Sequence, residues 1–300
     1  MKQLALLGAC ALALGAATSA RAQQTAYAIA NGGTTLITFQ TNNPGAAVAV
    51  GNVNGANTFL DGIDFRPLNG QLYGYLDSTD TLYTVNLTTA TLTAVASGTG
   101  ASATNTNLLG IDFNPTIDRV RVVTDSTQNL VYNPNNANPP TVATSLFYAA
   151  GDVNQNSNAL IVENAYSNST AGSFSTVQYG IDYGLGTLVT IANNAGTLNT
   201  IGSLGIGLNS NSYVGFDIFT NFTGINTAYA LLDTTAGFTP GFYTVNLGTG
   251  AATSVGSVGN FTQVYSLAVK PTLAPEPTSV ALTLLGGLAF VARGRKRRSA

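Results

Sequence analysis

No histidine and no tryptophan occur anywhere in the 300 residues, and cysteine and methionine occur once each. Without histidine, Ser-His-Asp triads, His-ligated zinc and His general bases are excluded outright. Charge is scarce as well: 8% of residues are charged, against about 25% in ordinary soluble domains. A helical bundle needs Glu, Lys and Arg on its wet faces, and a charged disordered chain needs them throughout, so both classes fall away. What is plentiful is Gly, Thr, Asn, Ser and Ala, with 13 Tyr and 13 Phe. Thr, Val, Tyr, Phe and Ile interrupted by Gly and Asn make many short strands joined by tight turns. The expected fold class is all-β.

Both ends read as processing segments. Lys2, the apolar stretch from Leu4 to Ala17 and the small-x-small triplet Ala20-Arg21-Ala22 form a secretory signal, with cleavage after Ala22. Cys10 lies inside the apolar core, and "LGAC" (Leu7 to Cys10) resembles a lipoprotein acylation site, although the apolar run continues past it. With a plain signal peptide removed, the mature chain has no cysteine, hence no disulfide and no thiol chemistry. At the other end stands "PEPTSVALTLLGGLAFVARGRKRRSA", Pro275 to Ala300. Its apolar stretch 279–292 would span about 21 Å as a helix, short of the ~30 Å hydrocarbon core. Arg293, Arg295, Lys296, Arg297 and Arg298 follow, a cluster that would stay cytoplasmic if the stretch were a short membrane anchor.

The same order of Pro-Glu-Pro, apolar stretch and basic cluster resembles the PEP-CTERM sorting signal, with Pro275, Glu276 and Pro277 matching the motif. That resemblance implies handling by an exosortase and the export machinery. It implies delivery to the outer surface or exopolysaccharide matrix of a Gram-negative bacterium. The division expected is 1–22 signal peptide, 23–271 folded domain and 272–300 sorting tail. Once both ends are set aside, four basic residues (Arg66, Arg119, Arg121, Lys270) face twelve acidic ones, a net charge of −8. Nucleic acid is then not an expected partner, since phosphate neutralisation needs clustered Lys and Arg.

A repeat runs through the body. "LDGIDFRPLNGQLYGYLDSTDTLYTVNLTTATLTAVASG" from Leu60 and "LLGIDFNPTIDRVRVVTDSTQNLVYNPNNANPPTVATS" from Leu108 each read as four short strands. A further copy starts at Tyr213, its "YTVNL" (Tyr243 to Leu247) repeating Tyr83 to Leu87 letter for letter. "GIDY" at Gly180 mimics a first strand, but aligning "QYG" with "LYG" at Gly74 makes it a second strand and gives "NALIVENAY" as the first. Units therefore begin near 60, 108, 158 and 213. "TAYAIANGGTTLITFQTNNPGAAVAVG" from Thr25 supplies strands two to four without a first, and "VYSLAVKP" from Val264 is a first strand without the rest. The C-terminal strand should complete the N-terminal unit. Five four-stranded units closed this way predict a five-bladed β-propeller, with six blades as the alternative.

With these segments in hand, "TAYAIANGGTTLITFQTNNPG", "LDGIDFRPLNGQLYGY" and "LLGIDFNPTIDRVRVVTDSTQNLVYNPN" are similar to domain of unknown function 4394, over roughly Gln24 to Lys270. The resemblance implies a secreted bacterial propeller-like domain, and it carries over no functional residue.

Candidates for chemistry are few. Asp64, Asp112 and Asp217 recur at one first-strand position. They read either as a ring of carboxylates able to hold a cation in the central channel, or as architecture, each bonding amides of the next blade. "DVNQNSNALIVE" places Asp152, Asn154, Asn156, Asn158 and Glu163 at EF-hand positions one, three, five, seven and twelve, but Ser157 stands where the loop needs glycine. Calcium is the cofactor such a loop would take; no other is called for. Asn69-Gly70 is the strongest hairpin signal. Arg119 and Arg121 share a strand face, with Asp118 or Asp125 as expected partners. Tyr73, Tyr83, Tyr229 and Tyr243 sit in strand patterns and should pack between blades. The function expected is a non-enzymatic binding or scaffold module with extracellular polysaccharide as partner. A calcium-assisted, carboxylate-dependent glycan hydrolase or lyase is the alternative.

Overall fold

A computed structural model describes residues 23–53, 59–97, 108–136, 138–208, 213–234 and 240–272. The signal segment, the cleavage site after Ala22 and the sorting residues Pro275, Glu276, Pro277, Arg293, Arg295, Lys296, Arg297 and Arg298 lie outside them. Among the described residues there is no α-helix, and so no helix long and apolar enough to cross a membrane.

The chain opens with β1 (Thr25–Ala30), β2 (Thr35–Gln40) and β3 (Asn43–Asn52). The second blade is β4 (Gly62–Phe65), β5 (Leu72–Leu76), β6 (Thr81–Val85) and β7 (Leu92–Ser97). The third is β8 (Leu109–Asn114), β9 (Arg119–Thr124), β10 (Asn129–Tyr132) and the two-residue β11 (Thr141–Val142). After β12 (Phe147–Tyr148) come β13 (Ile161–Tyr166), β14 (Gln178–Asp182), β15 (Thr187–Ile191) and β16 (Thr197–Ser203). The fifth blade is β17 (Val214–Thr220), β18 (Asn226–Leu232), β19 (Gly241–Val245) and β20 (Ala252–Ser257), and β21 (Tyr265–Val269) ends the fold. Each blade is an antiparallel meander, and the first strands β21, β4, β8, β13 and β17 lie side by side in a closed ring. This is a five-bladed β-propeller.

Turn chemistry sets the blade edges. Gly70 adopts a left-handed φ of 67° in the β4–β5 hairpin, and Asn69 Oδ1 accepts the Gln71 amide. The identical "YTVN" segments end alike, with Asn86 Oδ1 accepting from the Thr88 amide and Asn246 Oδ1 from Gly248. The apolar faces then pack blade on blade. Each gap between neighbouring blades holds one buried cluster; Tyr73, Tyr75, Ile111 and Phe113, for example, fill the gap between the second and third. A meander sheet has two apolar faces, and only neighbours can cover both.

Closure occurs as expected: β21 pairs antiparallel with β1, Ala26 opposite Val269 and Ala28 opposite Leu267. The Lys270 amide continues the ladder onto the Thr25 carbonyl at 2.8 Å. Two details depart from a regular four-stranded ladder. The fourth sheet has five strands, because β12 adds parallel to the outer edge of β16. And Tyr265 does not share a face with Leu267 and Val269. A bulge at Ser266, with φ 45°, shifts the register, so Leu267 and Val269 face the fifth blade while Tyr265 packs toward the second.

Candidate functional site: a carboxylate cluster on the propeller axis

The first strands all run the same way through the middle of the ring. In three of them the residue paired with the second strand at one level is an aspartate: Asp64 opposite Tyr73, Asp112 opposite Arg121, Asp217 opposite Tyr229. All three are buried, and one carboxylate oxygen from each lies within 4.8 Å of the others. The structure brings the in-register aspartates together.

Each aspartate also joins two blades. Asp64 accepts the Phe65 amide at 2.6 Å and, across the gap, the Phe113 amide at 2.8 Å. Asp217 accepts from Ile218 and from Val269 of the first blade, both at 2.5 Å. Asp112 accepts the amide of Tyr166 in the fourth blade. The architectural reading of these residues holds, and it coexists with a shared carboxylate cluster.

The two remaining blades carry alanine at that level, Ala165 opposite Tyr179 and Ala268 opposite Tyr27. Both have a register shift just before it, and a polar residue two positions upstream instead: Glu163 and Ser266. Ser266 Oγ accepts the Ile63 amide at 2.8 Å and hydrogen-bonds Glu163. Gly110 makes room for this glutamate, since a Cβ there would lie 2.4 Å from Glu163 Cα and 2.7 Å from its Oε2. Four carboxylates and a hydroxyl thus converge, one from each blade.

Among the described residues no basic side chain balances them. Arg66 pairs with Asp118, and buried Arg121 donates to Asn129 Oδ1, Asn194 Oδ1 and the Tyr166 hydroxyl. Arg119 reaches only the carbonyls of Ile117 and Asp118. The pairing expected for Arg119 and Arg121 is therefore replaced by a bond from the neighbouring blade, because Arg66 reaches across the gap to Asp118. Burial, reinforced by the charges of Asp217 and Asp64, holds the Glu163 carboxyl well above its ordinary range. Asp64 and Asp112 are raised for the same two reasons, and burial lifts Asp217 to about 6 against its amide bonds.

The EF-hand-like segment is dispersed. Asp152 accepts the Thr200 and Asn154 amides and caps β16 at the outer side of the blade, while Asn156 and Asn158 are exposed. Asn154 donates to the Thr200 hydroxyl, and Glu163 lies in the innermost strand. Three strand spacings separate β16 from β13, roughly 14 Å, so these five residues do not surround one point. The tyrosines behave as packing groups: Tyr73 meets Phe113 edge-on at 5.0 Å, and Tyr229 stacks on Phe242 at 5.4 Å. Tyr83 and Tyr243 are half-buried, each against the cluster of another gap between blades.

A hollow lies at each end of the axis. On the side where the first strands begin, about 200 Å³ is lined by Asp61, Leu109, Val162, Tyr213 and Tyr265 among others, and burial raises Asp61 to about 6. Where the first strands end, a wider depression of about 740 Å³ lies among Leu68, Asn69, Thr170, Phe222 and Pro271.

Residues 35–268 match the family described as Domain of unknown function (DUF4394). The chain belongs to that family. No curated protein matches it significantly. Among solved structures, the DUF4394 chain is similar to one in a nidogen/laminin complex, at 10% identity and a TM-score of 0.48, covering 83% of this chain and 100% of that one. It is also similar to Kuenenia stuttgartiensis hydrazine synthase, at 13% identity and a TM-score of 0.39, over 69% of this chain and 52% of that one. The DUF4394 chain thus spans about half the length of that synthase chain.

Proposed function

We propose that this DUF4394 protein is exported and held at the cell surface or in an exopolysaccharide matrix by its C-terminal tail, acting there as a non-enzymatic binding and scaffold module. The observation that carries this reading is the chain exit. β21 is locked into the first blade, and the chain passes Lys270 at one face of the disc, where Pro271 and Thr272 line the wide depression, shortly before the Pro-Glu-Pro segment. A tail fixed to so short and buried a strand tethers the whole ring, and the opposite face stays presented. The exosortase and export machinery are then its processing partners, and extracellular polysaccharide its expected ligand.

The carboxylates that motivated a hydrolase or lyase argue the other way. They are buried, and three of them hold backbone amides of adjacent blades. A glycosidase needs its acid and its nucleophile or base flanking a bound sugar. The test is a paired assay on the purified protein with the producing organism's own polysaccharide: retention on the immobilised polymer, and release of new chain ends. Retention without turnover supports the proposal. Turnover without retention overturns it.

A further inference from the structure

The axial cluster invites a question separate from what the propeller binds at its surface: what holds four buried carboxylates together. Asp64, Asp112, Glu163 and Asp217 bring a formal charge of −4 to one site, and among the described residues no Lys or Arg pairs with any of them. Burying like charges is costly unless a cation or protons compensate. Hydrogen bonds do not finish the task either. Glu163 Oε1 and Asp112 Oδ1 have no hydrogen-bond partner among the described residues, although these residues are only 2% and 3% exposed. Each is an orphan acceptor in the middle of a protein, and an orphan acceptor beside other carboxylates calls for a positive ligand.

The spacing fits an ion. Two oxygens that each sit about 2.4 Å from a common centre are at most ~4.8 Å apart, and one oxygen from each of Asp64, Asp112 and Asp217 satisfies that limit. The amide bonds to Asp64 and Asp217 use one lone pair of each oxygen and leave a second. All donors are hard oxygens, with no nitrogen or sulfur in the set, which excludes zinc and copper preferences and selects calcium, magnesium or manganese. Donors that come from three separate blades and are already anchored to backbone suit the larger, less exacting coordination sphere of calcium better than the tight octahedron of magnesium. The smaller hollow is the nearest opening: Val162 and Tyr265 line it, and Glu163 and Ser266 follow them in the chain.

We propose that Asp64, Asp112 and Asp217 bind one calcium-type divalent cation on the propeller axis, with Glu163, held by Ser266, adding its charge beside them. The ion is structural: it ties the innermost strands of the second, third and fifth blades together. This goes beyond the surface-binding proposal and does not depend on it.

The experiment measures metal per chain in the purified protein by mass spectrometry. Calorimetric titration with calcium and with magnesium follows exhaustive chelation, and melting is recorded at neutral pH with and without chelator. One bound calcium per chain, a chelator-dependent fall in melting temperature and at least tenfold weaker calcium binding in Glu163→Gln and Asp112→Asn are expected. Asp152→Asn, outside the cluster, should bind calcium like the wild type. A protein that takes up no divalent ion and melts identically with calcium and with chelator overturns the proposal and leaves shared protons as the compensating charge. Calcium that binds equally well in both cluster variants places the ion elsewhere and also overturns it, and preference for magnesium overturns the calcium assignment. Should the variants fail to fold, the wild-type metal content and chelator response still decide.

Discussion

At Gly110 the ring tolerates no side chain. The missing Cβ is what lets the Glu163 backbone pass, and a methyl group would meet Glu163 Cα at 2.4 Å. Backbone cannot retreat as a flexible side chain does, so Gly110→Ala should cost at least the 1–3 kcal/mol typical of overpacking. Gly207→Ala meets nothing within 4 Å and should melt within a degree or two of the wild type; equal melting of the two variants would refute the account. The Arg66–Asp118 pair, which links the second and third blades, carries a pH signature. Its guanidinium holds the Asp118 carboxyl below the usual carboxylate range, with Asn135 assisting. Stability from a lowered pKa is present above the unfolded value near 3.9 and is lost as pH falls through the folded value. Asp118 is partly exposed, so the pair is worth no more than about 1 kcal/mol. Asp118→Asn should therefore melt below the wild type at pH 6 to 7, and the gap should close below about pH 4. A gap that widens on acidification would contradict this.

Among the elements, β21 matters out of proportion to its five residues. It contributes buried Leu267, Ala268 and Val269 and accepts the Ile63 amide through Ser266. Ending the chain at Thr262 leaves the first blade three-stranded, with an open edge beside an apolar face. This should remove several kcal/mol of a typical ~5–15 and provoke aggregation. Ending it after Leu273 should leave the melting temperature unchanged; if both truncations melt alike, the strand does not close the ring. This closure was legible in advance because "LAVKP" copies "IDFRP" and because the first unit visibly lacks a strand. The blade count and the aspartate level were legible for a related reason: strand alternation and turn residues leave a period of two and punctuation that survive in sequence. What escaped did so where that period breaks. In the fourth and first blades, whose first strands carry register shifts, the polar residue stands two places upstream of the alanine at that level, so counting in register finds three aspartates and misses Glu163 and Ser266. The two-residue β12 is too short to show any alternation.

For the whole molecule, the direction of the first strands fixes which face the tail serves. They end at the wide depression that includes Leu68, Phe222 and Pro271, and they begin at the hollow with Asp61 and Tyr213. Phe222 on the tail side and Phe59 on the far side are both exposed, and no cysteine follows Cys10 in the sequence. In surface-held protein, Phe59→Cys should react with a bulky thiol reagent faster than Phe222→Cys, and in tail-less protein the two should react alike. Equal rates on intact cells would mean that the tail does not set the orientation. The antiparallel seam between β21 and β1 also has a mechanical consequence. A pull on Pro271 acts along the axis of β21, whose pairs with Ala26, Tyr27, Ala28 and Ile29 lie side by side across that axis. Load applied that way is shared by all the bonds at once, as in a lap joint under shear, instead of opening them singly like a zip. Drag on whatever the far face grips would then be borne by the strand that holds the ring shut.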